Sequence, residues 1–173
     1  MDSLLSHILL TFSNLQEIIL VGNSAGGQFV NRYAAGTGQD LEGKIRYIIA
    51  APSSYVYFDE YRYDGYQFPL DWNIPDDCSN YNDYKYGLDN LNHYMSMSGA
   101  DSIRERYSRR EISYLIGTSD TGGTQDCESM TQGENRLARS IIYFNYLQYF
   151  YGSQILDNHE IALISGVGHD YNG

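Results

Sequence analysis

Glu17-Ile18-Ile19-Leu20-Val21-Gly22-Asn23-Ser24-Ala25-Gly26-Gly27 (EIILVGNSAGG) decides the fold of this chain of 173 residues. The apolar run from Glu17 to Val21 is short, continuous and stopped by Gly22, as in a strand buried on both faces of a parallel sheet. Gln28 to Ala35 (QFVNRYAA) then reads as a helix ending near Gly36. Between the two, Gly22-Asn23-Ser24-Ala25-Gly26 matches G-x-S-x-G. At ordinary Gly and Ser frequencies a chain of this length matches that pattern by chance roughly one time in twenty. The strand before it and the helix after it make chance rarer, since this context is the test of a nucleophile elbow.

The spelling has a physical basis. A serine on a sharp turn projects its hydroxyl above the sheet, and side chains at Gly22 and Gly26 are expected to crowd the neighbouring strand and helix. The helix that follows points free N–H groups at the site, which makes the Ala25 N–H an expected oxyanion donor, with Asn23 and Gly27 framing the turn. No Gly-Lys-Ser/Thr supports a phosphate loop, and Gly22, Gly26 and Gly27 do not form G-x-G-x-x-G.

Working outward, residues 1–13 carry Leu4, Leu5, Ile8, Leu9 and Phe12 at helical spacing. Lys44 to Ala51 is a second strand, Asp101 to Arg110 a helix, Glu111 to Gly117 a third strand, Glu134 to Tyr151 a long buried helix, and Glu160 to Ile164 a fourth strand. Strands alternating with helices imply an α/β architecture, a mostly parallel sheet of about four strands flanked by helices. The stretch from Tyr55 to Tyr94 differs: it holds nine of the 18 tyrosines, eight acids and only Arg62 and Lys85 as bases. It lacks periodicity, so residues 52–99 are expected to form a Tyr-rich cap or lid inserted in a single domain spanning 1–173.

A serine needs a base, and the base an orienting acid. His169, in Gly166-Val167-Gly168-His169-Asp170 after the fourth strand, stands at the expected position. His7 precedes the elbow, His93 lies in the cap segment, and His159 stands before its strand, at the wrong end of the sheet. Asp120 directly follows the third strand and is the expected acid, with Asp126 and Glu128 deeper in the same loop as reserves.

The chain resembles the C-terminal catalytic part of α/β-hydrolase-fold serine hydrolases. The resemblance rests on Gly22-Asn23-Ser24-Ala25-Gly26-Gly27, on Arg32-Tyr33-Ala34, and on Tyr86-Gly87-Leu88, Gln132-Gly133-Glu134-Asn135-Arg136 and Gly166-Val167-Gly168-His169-Asp170. It covers about Leu15 to Tyr171 and implies Ser24 as nucleophile, Asp120 as acid and His169 as base. It also implies an esterase-type reaction on a small-molecule ester or acyl substrate through an acyl-enzyme, with no cofactor or metal. Such folds have about eight strands with the elbow after the fifth. Here the elbow follows the first of four, and no HGGG-like loop supplies a second oxyanion donor. The expectation is therefore an incomplete serine hydrolase domain, truncated before the elbow strand and just after His169, with a catalytically impaired fragment as one alternative. A non-catalytic binding protein that keeps the hydrolase sheet is the other alternative. The outer edge of the elbow strand is expected to be apolar and unpaired, open to pairing with a second copy.

Composition narrows the partners. A net charge of -11 and a pI near 4.5 disfavour nucleic acid, whose phosphates need clustered Lys and Arg. No stretch approaches the roughly 20 apolar residues of a membrane span, and MDSLLSHILLTF lacks the basic start of a signal peptide. Cys78 and Cys127 allow one intramolecular pairing, which the sequence leaves open.

Overall fold

The elbow strand is β1 (Ile18–Asn23), and it opens a parallel sheet with β2 (Ile45–Ala50), β5 (Glu111–Gly117) and β6 (His159–Ile164) in the order β1-β2-β5-β6. The structure is a computed structural model and describes residues 1–39, 43–63 and 71–170. The cap residues 64–70 and the end of the matched region at Tyr171 lie outside the described residues. The register pairs Asn23 with Ala50, Ala50 with Leu115, and Gly117 with Ile164, which brings the strand C-termini to one end of the sheet. Open parallel sheets use that end for ligands.

Helices cover the sheet. Helix α1 (Asp2–Thr11) precedes β1, and α2 (Ala25–Gly36) packs on β1 and β2. The short α3 (His93–Ser98) and α4 (Ala100–Tyr107) lead into β5, and α5 (Cys127–Met130) precedes α6 (Arg136–Tyr151), which packs on β5. A two-residue ladder of β3 (Arg62–Tyr63) with β4 (Trp72–Asn73) completes the strands. The outer edge of β1 is unpaired among the described residues, with Ile19 and Val21 more than half exposed. No described helix is long and apolar enough to cross a membrane.

The Tyr-rich segment starts in the core. Ala51 to Phe58 are all buried, and Tyr55 stacks on Tyr143 with ring centroids 4.2 Å apart. This run belongs to no sheet, so beyond the bonds from Ala51 N–H to the Leu115 carbonyl and from Tyr57 N–H to the Tyr86 carbonyl its main chain takes partners from side chains. Tyr55 N–H donates to Gln132 Oε1 at 2.8 Å, and Gln132 Nε2 donates back to the Tyr55 carbonyl at 2.9 Å. Val56 N–H donates to Asn31 Oδ1, the Val56 carbonyl accepts from the Tyr143 hydroxyl, and Phe58 N–H donates to the Tyr146 hydroxyl.

Buried arginines tie the remaining turns together. The Arg62 guanidinium lies 4.1 Å above the Tyr57 ring and donates to the carbonyls of Asp59, Tyr61 and Tyr81. Arg139 likewise donates to the carbonyls of Gly133, Ser53 and Thr124. Charge-assisted bonds of this kind compensate the cost of burying a cation. Cys78 and Cys127, whose pairing the sequence leaves open, form a disulfide that clips the 76–81 turns to α5.

Candidate active site

Ser24 sits between the last residue of β1 and the first of α2 with φ 55 and ψ -116, a backbone conformation rare outside glycine. Its N–H donates to the Ala50 carbonyl at 2.9 Å, which pins the turn to β2. Two glycines make the turn possible, and one of them differs from expectation. A Cβ on Gly22 would lie 2.2 Å from the Gly26 carbonyl oxygen, as the crowding argument requires. Gly26 itself faces open space, and it is Gly27 whose Cβ would meet the Ala50 oxygen at 2.4 Å. The close approach is thus between α2 and the end of β2, one residue later than the sequence pattern suggests.

Ser24 occupies the N-cap position of α2 but makes no capping bond with its side chain. The first main-chain bond of the helix runs from Gln28 N–H to the Ser24 carbonyl. The N–H groups of Ala25, Gly26 and Gly27 therefore precede the intrahelical ladder, at the positive end of the helix dipole.

The serine hydroxyl turns instead to His169, with Oγ 3.0 Å from Nε2. The other ring nitrogen, Nδ1, lies 2.9 Å from Asp120 Oδ2. A carboxylate can only accept, so the proton belongs on Nδ1, and Nε2 is left to accept from Ser24. The three residues come from the ends of β1, β5 and β6, separated by 145 positions between Ser24 and His169 and 49 between Asp120 and His169. Asp120 is buried and His169 partly so.

Two turns hold the acid and the base together. Asp120 N–H returns to the Gly117 carbonyl, and Ser119 N–H donates to the Val167 carbonyl at 3.0 Å. Thr118 Oγ1 accepts from Gly166 N–H, where a φ of +73 turns the chain towards His169. The remaining candidates lie elsewhere. Asp126 caps α5 by accepting from Ser129 N–H, and the neighbouring Glu128 is in that short helix. His7 is on α1, His93 opens α3 at the surface, and His159 is buried against Tyr114 and Tyr107.

One partner escaped the sequence reading. Arg136 Nη1 stands 3.3 Å from Asp120 Oδ1, the oxygen that His169 leaves free. Its Nε donates to Ser53 Oγ at 3.2 Å. The only sequence signal is a basic residue at the start of a helix, where an acid is the favoured charge.

No family model matches this chain, and no curated protein matches it. Among solved structures it is similar to poly(aspartic acid) hydrolase-1 from Sphingomonas sp. KT-1, with a TM-score of 0.66 and 19% identity over 97% of this chain and 56% of that one. It is also similar to LpqC, the poly(3-hydroxybutyrate) depolymerase from Bordetella parapertussis, with a TM-score of 0.63 and 20% identity over 98% of this chain and 51% of that one. The chain thus spans about half the length of these structures. The parallel order β1-β2-β5-β6, the strained serine between strand and helix, and these likenesses establish that the chain has the α/β-hydrolase fold.

Proposed function

We propose that this chain is the catalytic part of a serine hydrolase that cleaves a carboxylic ester or similar acyl bond. The observation that carries the reading is the unbroken line Ser24 Oγ–His169 Nε2–Asp120, with contacts of 3.0 and 2.9 Å between residues from three strand ends. Ser24 attacks the carbonyl carbon while His169 takes the hydroxyl proton at Nε2. Asp120 holds Nδ1–H and stabilises the imidazolium that forms. The Ala25 N–H is the expected donor to the developing oxyanion, because it lies at the free end of α2 beside the attacked carbonyl. His169 then gives its proton to the leaving group, and water, activated by the same imidazole, releases the acyl group and restores Ser24.

The similar structures lend chemical support. One is named for hydrolysis of poly(aspartic acid) and the other for depolymerisation of poly(3-hydroxybutyrate), and both polymers are joined by acyl bonds. A fluorophosphonate probe tests the proposal directly. Labelling of the folded chain that disappears in Ser24→Ala and falls sharply in His169→Ala is expected. A folded chain that takes no label, or takes it equally in Ser24→Ala, would sink the reading and favour a binding protein that keeps the hydrolase sheet.

A further inference from the structure

The Asp120 carboxylate stands between two partners. Its Oδ2 meets His169 Nδ1 at 2.9 Å, while its Oδ1 meets Arg136 Nη1 at 3.3 Å. The Asp120 side chain is 1% exposed and that of Arg136 only 15%, so bulk water screens this pair poorly. Arg136 is also held by Ser53 and has its main chain fixed by donation from its N–H to the Gly122 carbonyl at 2.8 Å. A Cβ at Gly122 would stand 3.1 Å from Nη1, so the loop leaves room for the guanidinium.

The position of this cation has no helical rationale. Arg136 is the first residue of α6, where the dipole opposes positive charge. The N-cap duty falls to Asn135, which accepts from Ala138 N–H. The charge at the helix start is balanced by Asp120 instead. The other charged groups nearby are engaged elsewhere or only adjacent in sequence. Arg139, one turn along α6, serves carbonyls, Asp126 caps α5, and Asp170 follows His169 in its turn. Among the described residues, Arg136 is the cation in contact with the acid.

We propose that Arg136 is a positioning residue that acts on His169 through Asp120, an inference that rests on the hydrolase reading above. By holding Oδ1 it turns Oδ2 towards the ring. With that oxygen held, the carboxylate keeps one orientation and the ring stays aligned on the Ser24 hydroxyl. Arg136 does not touch the Ser24 hydroxyl, so its removal acts on the proton relay and leaves substrate binding in place.

The test is the proton NMR signal of the His169 Nδ1–H, which its bond to Asp120 moves downfield and protects from exchange, in the wild-type chain, Arg136→Gln and Arg136→Lys. Loss of the cation frees the carboxylate to turn, so the signal moves upfield or is lost to exchange. The lysine variant keeps the signal, because it keeps a cation on the second carboxylate oxygen. Arg136→Met replaces the glutamine variant if the latter fails to fold. An unchanged signal in a folded neutral variant overturns the proposal. A merely structural role would lower stability without moving the signal. The measurement needs no turnover, so failure of the hydrolase reading is scored separately, by Ser24-dependent labelling. In an active chain, kcat falls in the neutral variant while KM stays constant.

Discussion

Gly117 passes so close to Val167 that a Cβ added to the glycine would lie 2.1 Å from the valine carbonyl oxygen. That contact stacks the turn bearing Asp120 on the turn bearing His169, and the bond from Ser119 N–H to the Val167 carbonyl closes it. Real side chains do not tolerate such a distance, so one turn must move if Gly117 acquires a methyl group. Misplacement by about 1 Å is enough to cost 10²-fold in rate. Gly117→Ala is therefore expected to lower kcat by about that factor with KM little changed. Steady-state kinetics on a variant with wild-type circular dichroism checks this. An unaltered kcat would show that the two turns are not coupled.

Ser24 carries backbone strain at the turn between β1 and α2. Its φ of 55 with ψ of -116 is glycine territory, and such residues cost about 1–3 kcal/mol. Ser24→Gly relieves that strain but adds about 1 kcal/mol of unfolded-state entropy. The net expectation is a gain of about 1 kcal/mol, or a rise in Tm of about 2–4 °C. The same variant loses all Ser24-dependent labelling. A thermal melt decides: a lower Tm than wild type would mean that the elbow is not strained.

The Cys78–Cys127 disulfide closes a loop with a sequence separation of 49. In the chain-entropy picture, a cross-link over about 50 residues restricts the unfolded state by about 4 kcal/mol. The double variant Cys78→Ser, Cys127→Ser should lose stability of that order in urea titration. Labelling at Ser24 should survive under native conditions, because Asp120 is held by Arg136 and by α6 rather than by the disulfide. Loss of labelling in a folded double variant would place the disulfide in the support of the site.

How much of this was legible in the sequence depends on what each residue bonds to. The elbow could be read because an apolar run, a glycine turn and a helix follow one another within a few residues. That Asp120 and His169 meet beside Ser24 could be read because both lie just past strand ends, and the strands could be counted. The burial of Tyr55 to Phe58 could not. Their main-chain partners are the Tyr86 carbonyl and side chains 25 to 88 positions away, which leave no local period. Gly27, rather than Gly26, meets a neighbour because α2 leans on β2, a tertiary relationship absent from the motif. Arg136 was invisible for a similar reason, since only the folded chain brings it to Asp120.

His159 provides a prediction about acid stability. It lies at the start of β6, where its Nδ1 accepts from the Tyr114 hydroxyl and its Nε2–H donates to the Tyr107 carbonyl, each at 3.1 Å. Burial lowers its pKa from 6.5 to about 4, partly opposed by the bond to the Tyr107 carbonyl. Between those two values the unfolded chain binds a proton at this site that the folded chain does not, so stability falls as the pH falls. The loss from this group is complete near pH 4 and amounts to about 3 kcal/mol. Above pH 6.5 both states are neutral and the contribution is flat. His159→Asn removes the titration at the expense of packing and one hydrogen bond, so the variant is less stable than wild type at pH 7. Its urea midpoint should nevertheless change less between pH 6.5 and pH 4 than that of wild type. Parallel pH dependences in the two proteins would show that His159 is already solvated in the folded state. Buried Tyr107 and Tyr114, whose hydroxyls lie 2.8 Å apart, would then owe their order to each other rather than to the imidazole.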